Sequence, residues 1–169
     1  FREFMIGSNT YHVVKNATCP VLSIQRDSST GFKNILLPFT DKPHLRESVD
    51  YAREIAKTFN SKIHILGIDT ANTKEHLYRI QKEGDQIKKI IEKSDVRCSL
   101  EVISSSFVAE GLLEKAKEKN ADLIAIVSDL DRMSFSHYFE GPVVKQLVNH
   151  SAITILSVPY KFNFVRDIE

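Results

Sequence analysis

The stretch FKNILLPFTDKPHLRESVDYAREIAKTFNSKIHILGI, residues 32–68, decides the fold. Within it, Lys33–Phe39 holds a short apolar run of the kind that fills a parallel strand buried on both faces. Leu45, Val49, Ala52, Ile55, Ala56 and Phe59 then recur at helical spacing, which gives a helix one apolar stripe. Lys62–Ile68 repeats the strand pattern. Strand, helix and strand in this order form one βαβ unit, whose crossover is right-handed.

The alternation continues toward the C-terminus. EHLYRIQKEGDQIKKIIEKS places Leu77, Ile80, Ile87 and Ile91 on one helical stripe, weakened slightly by Gly84. Arg97–Ile103 reads as a third strand, and serines 104 to 106 are candidate caps for a helix over FVAEGLLEKAKEKN. Ala121–Val127 is a fourth apolar strand, PVVKQLVNH (142–150) a last helix, and Thr154–Val158 a fifth strand. The expected architecture is an α/β three-layer sandwich around a five-stranded parallel sheet. Ligands in such sheets bind beyond the carboxyl ends of the strands, where the winding reverses. The loops after Phe39, Ile68 and Val127 are therefore the candidates.

Bulk composition removes several classes of function. The 169 residues carry 23 basic and 22 acidic side chains, a net charge of +1, so there is no electrostatic footprint for nucleic acid or an anionic membrane. No apolar run approaches the roughly 18 residues of a membrane span, and the first residues lack a signal-peptide layout. Cys19 and Cys98 lack metal or redox spacing and read as reduced, half-buried strand residues. A cytoplasmic protein is the expectation.

Residues 1–24, FREFMIGSNTYHVVKNATCPVLSI, look like the end of a domain. They align without gaps on residues 135–158, FSHYFEGPVVKQLVNHSAITILSV, at an offset of 134 positions that carries Gly7 onto Gly141. Phe1 meets Phe135, Val14 meets Val148, Leu22 meets Leu156 and Ser23 meets Ser157. An offset of that size is a whole α/β unit rather than a solenoid repeat. Residues 1–25 are accordingly read as the helix–strand remnant of a preceding sister domain, 26–31 as a linker, 32–160 as a complete domain and 161–169 as a tail. An unpaired strand edge is a liability, so Cys19–Ile24 is expected to pair antiparallel with Ile153–Val158 within the chain. The first helix would still expose Phe4, Met5, Val13 and Val14, which favours a homodimer.

These same residues carry a family resemblance. Residues 32–68 resemble the opening of a universal stress protein domain, with an I-L-x-P strand, a loop and a helix with paired alanines. VAEGLLEKAKEKNADLIAIVS (108–128) resembles that family's next helix and A-D-L-I strand, and TCPVLSI (18–24) its closing P-V-L strand. The resemblance implies an adenine nucleotide alpha hydrolase-like fold and a dimer, or tandem pseudo-dimer, joined through the final strands. It also implies a nucleotide pocket at the positions of Pro38, Thr40, Asp41, Ile68, Ser128, Asp131, Gly141 and Pro142.

At those positions the spacing survives and the chemistry does not. Members that bind ATP carry G-x2-G-x9-G-(S/T) after the fourth strand, so that amides approach phosphate and a helix N-terminus receives the anion. Here the four positions are Ser128, Asp131, Gly141 and Pro142, and only Gly141 matches. A carboxylate at Asp131 about 4 Å from a phosphate charge would repel it by about 4 kcal/mol at an effective dielectric of 20. Pro142 has neither the amide hydrogen nor the hydroxyl the pattern supplies. Nucleotide-binding members also carry Asp two residues after the strand proline, whereas Asp41 stands one place late. The expectation is a domain without a cofactor, ATP with a metal at Asp131 being the alternative.

Other constellations point to structure. Asp41, Asp129 and Asp131 could converge on a divalent ion, but solvated loop acids are the simpler reading. The six histidines, 12, 44, 64, 76, 137 and 150, show no zinc spacing. Serines 104 to 106 lack a nucleophile elbow. No catalytic residue is assigned. The sequence reads as a stress-response interaction module, with a nucleotide-binding switch, capable of slow ATP hydrolysis, as its rival.

Overall fold

The computed structural model describes residues 8–24, 31–40, 46–128 and 153–159. Its elements, in chain order, are α1 (Ser8–Asn16), β1 (Val21–Ser23), β2 (Asn34–Phe39), α2 (Arg46–Phe59), β3 (Lys62–Asp69), α3 (Lys74–Glu92), β4 (Cys98–Ser104), α4 (Val108–Glu118), β5 (Leu123–Ser128) and β6 (Thr154–Pro159). The strands form one sheet in the order β1-β6-β5-β2-β3-β4. The five strands β2 to β6 are mutually parallel, and β1 joins β6 antiparallel. This is the expected sandwich with its extra edge strand. The last helix read from the sequence, 142–150, lies outside the described residues, as do 26–30 and 161–169.

Two apolar layers cover the two faces of the sheet. On one side, Ile35, Leu37 and Phe39 of β2 pack with Val49, Ala52 and Ala56 of α2 and Ile80, Ile87 and Ile91 of α3. On the other, Leu36, Leu66, Ile68, Ile124 and Ile126 meet Val108, Leu112 and Ala116 of α4, with Val14 of α1 beside them. Alternate residues of one strand thus serve opposite faces, which is why the central strands read as unbroken apolar runs.

Several local expectations are corrected. The stripe on α3 is Ile80, Gly84, Ile87 and Ile91 with His76 at its start, while Leu77 is exposed. Gly84 provides close approach: a Cβ there would lie 2.7 Å from Leu100 Cδ1 and 3.1 Å from Phe39 Cζ. Gly67 is tighter still, at 2.6 Å from Ile80 Cγ2 and 3.0 Å from Phe39 Cζ. The two glycines make a notch for the Phe39 ring. Phe59 is largely exposed but sets its ring edge-on to Phe32 at 5.5 Å. Val14 is buried where exposure was expected; Val13 is the exposed neighbour. Cys19 is exposed and precedes β1, while Cys98 is half-buried at the start of β4.

The outer strand β4 carries a charged cluster. Glu101 pairs with Lys115 and with Lys119 (2.8 Å), and both lysines also pair with Glu118 (2.7 and 2.8 Å). Hydrogen bonds from Lys115 and then Lys119 lower the Glu118 carboxyl to about 2. Among the described residues, no helix is long and apolar enough to cross a membrane.

Candidate functional site

The chain leaves β2 in one direction through β3 to β4, then crosses back to β5 and β6 on the other side. The winding therefore reverses between β2 and β5, and a crevice is expected at their carboxyl ends. The ladders show where it opens. β2 stays paired with β3 from Asn34↔Lys62 to Phe39↔Gly67, but its ladder with β5 stops at Leu36↔Ile124. Pro38, which has no amide hydrogen to donate, stands just beyond that last pair. β5 meanwhile runs on with β6 to Ser128↔Pro159. The ladder between the two central strands thus ends three residues before the end of β2.

Four of the eight candidate positions lie among the described residues, in or next to strands β2, β3 and β5. Pro38 and Ile68 are buried strand residues, Thr40 is buried directly after β2, and Ser128 ends β5. Asp41, Asp131, Gly141 and Pro142 lie outside the described residues, as does Asp129. The Phe39 ring turns to the α3 face, whereas Ile68 belongs to the α4 face.

One cluster at this rim escaped the sequence reading. Asp69, the last residue of β3, is buried, and its Oδ1 accepts from the amides of Ala71 and Asn72, each at 3.1 Å. The same oxygen bonds His76 Nδ1, and Oδ2 accepts from Ser104 Oγ at 3.3 Å. One carboxylate thus ties together the end of β3, its following loop, the first turn of α3 and the end of β4. Burial pushes the Asp69 carboxyl up, but the bonds from His76 and from the Asn72 and Ala71 amides outweigh it, so it stays below its ordinary range. Asn72 supplies the left-handed turn at φ 52, and Thr73 caps α3 by accepting from the His76 amide at 3.2 Å. The available signal was the run D-T-A-N-T-K-E-H, an acid at a strand end followed by turn and cap residues.

The serines next to this cluster do not cap α4. Phe107 is its N-cap residue, without a side-chain bond. Ser104 bonds Asp69, and Ser105 Oγ accepts from the Phe107 amide at 3.2 Å. His64 is a second buried histidine, on the α4 side, bonded to Ser99 Oγ (3.1 Å) and Asn34 Oδ1 (3.3 Å). Among the described residues, no group of three or more His, Cys, Asp or Glu is placed to hold a metal ion.

No protein-family model matches this sequence, and no curated protein matches it. Solved structures do. A universal stress protein from Archaeoglobus fulgidus DSM 4304 matches with a TM-score of 0.72 at 16% identity, over 96% of this chain and 57% of that one. The universal stress protein UspA from Lactobacillus plantarum matches with a TM-score of 0.64 at 15% identity, over 76% of this chain and 98% of its own. A universal stress protein solved in complex with cAMP gives 0.59 at 18% identity, covering 78% and 99%. The chain has the fold of the universal stress proteins. It spans little more than half the length of the Archaeoglobus protein, and only that longer neighbour of the three covers nearly all of it.

Proposed function

We propose that this is a universal-stress-type protein whose domain of residues 32–160 works as a non-catalytic, cytoplasmic interaction and pseudo-dimerisation module. The observation that carries the reading is the pairing of β1 with β6. Its register is Val21↔Ser157, Leu22↔Leu156 and Ser23↔Ile155. The central pair, Leu22 and Leu156, is also an equivalent pair in the 134-residue repeat. A two-fold relation thus runs through the ladder, as in an isologous contact between like subunits. A preceding sister domain is the natural owner of β1. Coverage of 96% of this chain by the longer neighbour supports that assignment, against 76% and 78% by the two shorter ones.

The second reading, an ATP-binding switch using the altered 128–142 loop with a metal and slow hydrolysis, is favoured by the parting of β2 and β5 and by the neighbour solved with cAMP. Calorimetric titration of the purified chain with ATP and Mg²⁺, and separately with cAMP, decides between them. No heat up to millimolar ligand is expected. Micromolar binding of either nucleotide would replace the module by the switch.

A further inference from the structure

Three polar side chains stand side by side on a sheet whose other central positions are mostly apolar. They are Asn34 of β2, His64 of β3 and Ser99 of β4, on adjacent strands with Leu36↔His64 and His64↔Ser99 as register pairs. All three face the α4 side, because their chain neighbours Ile35, Ile63, Ile65, Cys98 and Leu100 pack into the opposite layer. His64 Nε2 bonds Asn34 Oδ1 at 3.3 Å, and its Nδ1 bonds Ser99 Oγ at 3.1 Å. A carboxamide oxygen only accepts, so the imidazole proton sits on Nε2. Nδ1 is left as the acceptor, and the Ser99 hydroxyl donates to it. The bonds thus run in one direction, from a hydroxyl to a neutral imidazole that an amide holds in a single tautomer. His64 is buried, while Ser99 is half-buried on β4, which has no further strand beside it among the described residues.

We propose that Ser99 is a nucleophilic serine that accepts an acyl group from an activated ester, with His64 as its base and Asn34 positioning that base. Oγ attacks the carbonyl carbon while its proton passes to His64 Nδ1. The new Oγ–C bond replaces the bond to the leaving oxygen, and Nδ1 returns the proton to that oxygen, which departs as an alcohol. Burial first, then Lys62 of β3 and Lys119 beside α4, holds the imidazole below its ordinary value against the pull of Glu101 on β4, so the base is neutral at neutral pH. The product is one acyl group per chain, a modification of the module and not a turnover.

The test incubates the whole chain with p-nitrophenyl acetate and maps acetyl groups by peptide mass spectrometry. Loss in hydroxylamine distinguishes an ester on Ser99 from lysine amides. Ser99 should gain acetate at least ~10-fold faster than the exposed Ser106 in the folded chain, and should lose that lead in urea. Its rate should climb with pH to a plateau, with a midpoint below 6.5. His64→Gln should slow the reaction about 100-fold or more, the scale of a positioned base, and remove that inflection. Asn34→Ala should slow it less and displace the midpoint, which a merely structural residue would not do. Ser99 labelled no faster than Ser106 would overturn the proposal, as would a rate that a folded His64→Gln chain leaves unchanged. Should His64→Gln unfold, the pH profile of the unaltered chain decides, and a profile without the inflection overturns the proposal.

Discussion

Leu22 and Leu156 face each other across the β1–β6 ladder, and each stands where the other would stand if the two halves of the seam were exchanged. The sheet is therefore continuous through a junction that relates two segments of similar sequence. Packing around the junction is unequal, and that inequality can be measured.

Leu156 is buried in the larger apolar layer and Leu22 is not. Leu156→Ala should cost about 2–4 kcal/mol of unfolding free energy, and Leu22→Ala less than about 1 kcal/mol in this chain. Urea denaturation of the two variants reads the difference directly. Equal costs would mean that something covers Leu22 after all.

Ser23 and Ser157 are also an equivalent pair, and their hydroxyls are buried without a hydrogen-bond partner among the described residues. A buried hydroxyl without a partner costs about 1–3 kcal/mol. Ser157→Ala should raise stability by about 1 kcal/mol, seen as a higher melting temperature. A lower one would reveal a bonded water beneath the seam.

Gly67→Ala should cost about 1–3 kcal/mol, since the new methyl group meets Ile80, Phe39 and Val102 at once. The penalty should shrink in a Phe39→Leu background, which removes the ring from the notch. Thermal melts of the four proteins complete the cycle; a penalty unchanged by Phe39→Leu would relocate the clash to Ile80 or Val102.

The His64 imidazole is held below its ordinary value of 6.5, first by burial, then by Lys62 and Lys119, with Glu101 opposing. A lowered histidine is neutral in the folded chain while the unfolded chain still takes up the proton. Its contribution to stability is therefore full above about pH 6.5 and declines as the pH falls toward the folded value. His64→Gln should flatten that part of the curve of stability against pH. A curve of unaltered slope would place the proton uptake elsewhere.

Much of this fold was legible because burial on both faces leaves a plain mark. Residues 35–39, 63–68 apart from His64, and 123–127 are apolar regardless of side, and the structure places all three inside the sheet. The antiparallel seam was expected from the family resemblance and from the liability of an unpaired edge, and the ladder of β1 with β6 is that pairing. The Asp69 cluster was not read, because its most distant partner, Ser104, meets it only once β3 and β4 pair through Asp69↔Ser104. The serine run misled for the same reason: Ser104 answers to a carboxylate on the next strand. Leu77 misled because helical spacing alone does not say where a stripe begins, and His76, held by Asp69, takes the inward place.

The charges that β4 shares with α4 have a consequence for assembly as a whole. Any strand laid along that side would have to take the Glu101, Lys115, Lys119 and Glu118 cluster out of water, an expensive step. Among the described residues, the sheet is thus stoppered at one end and open at the other.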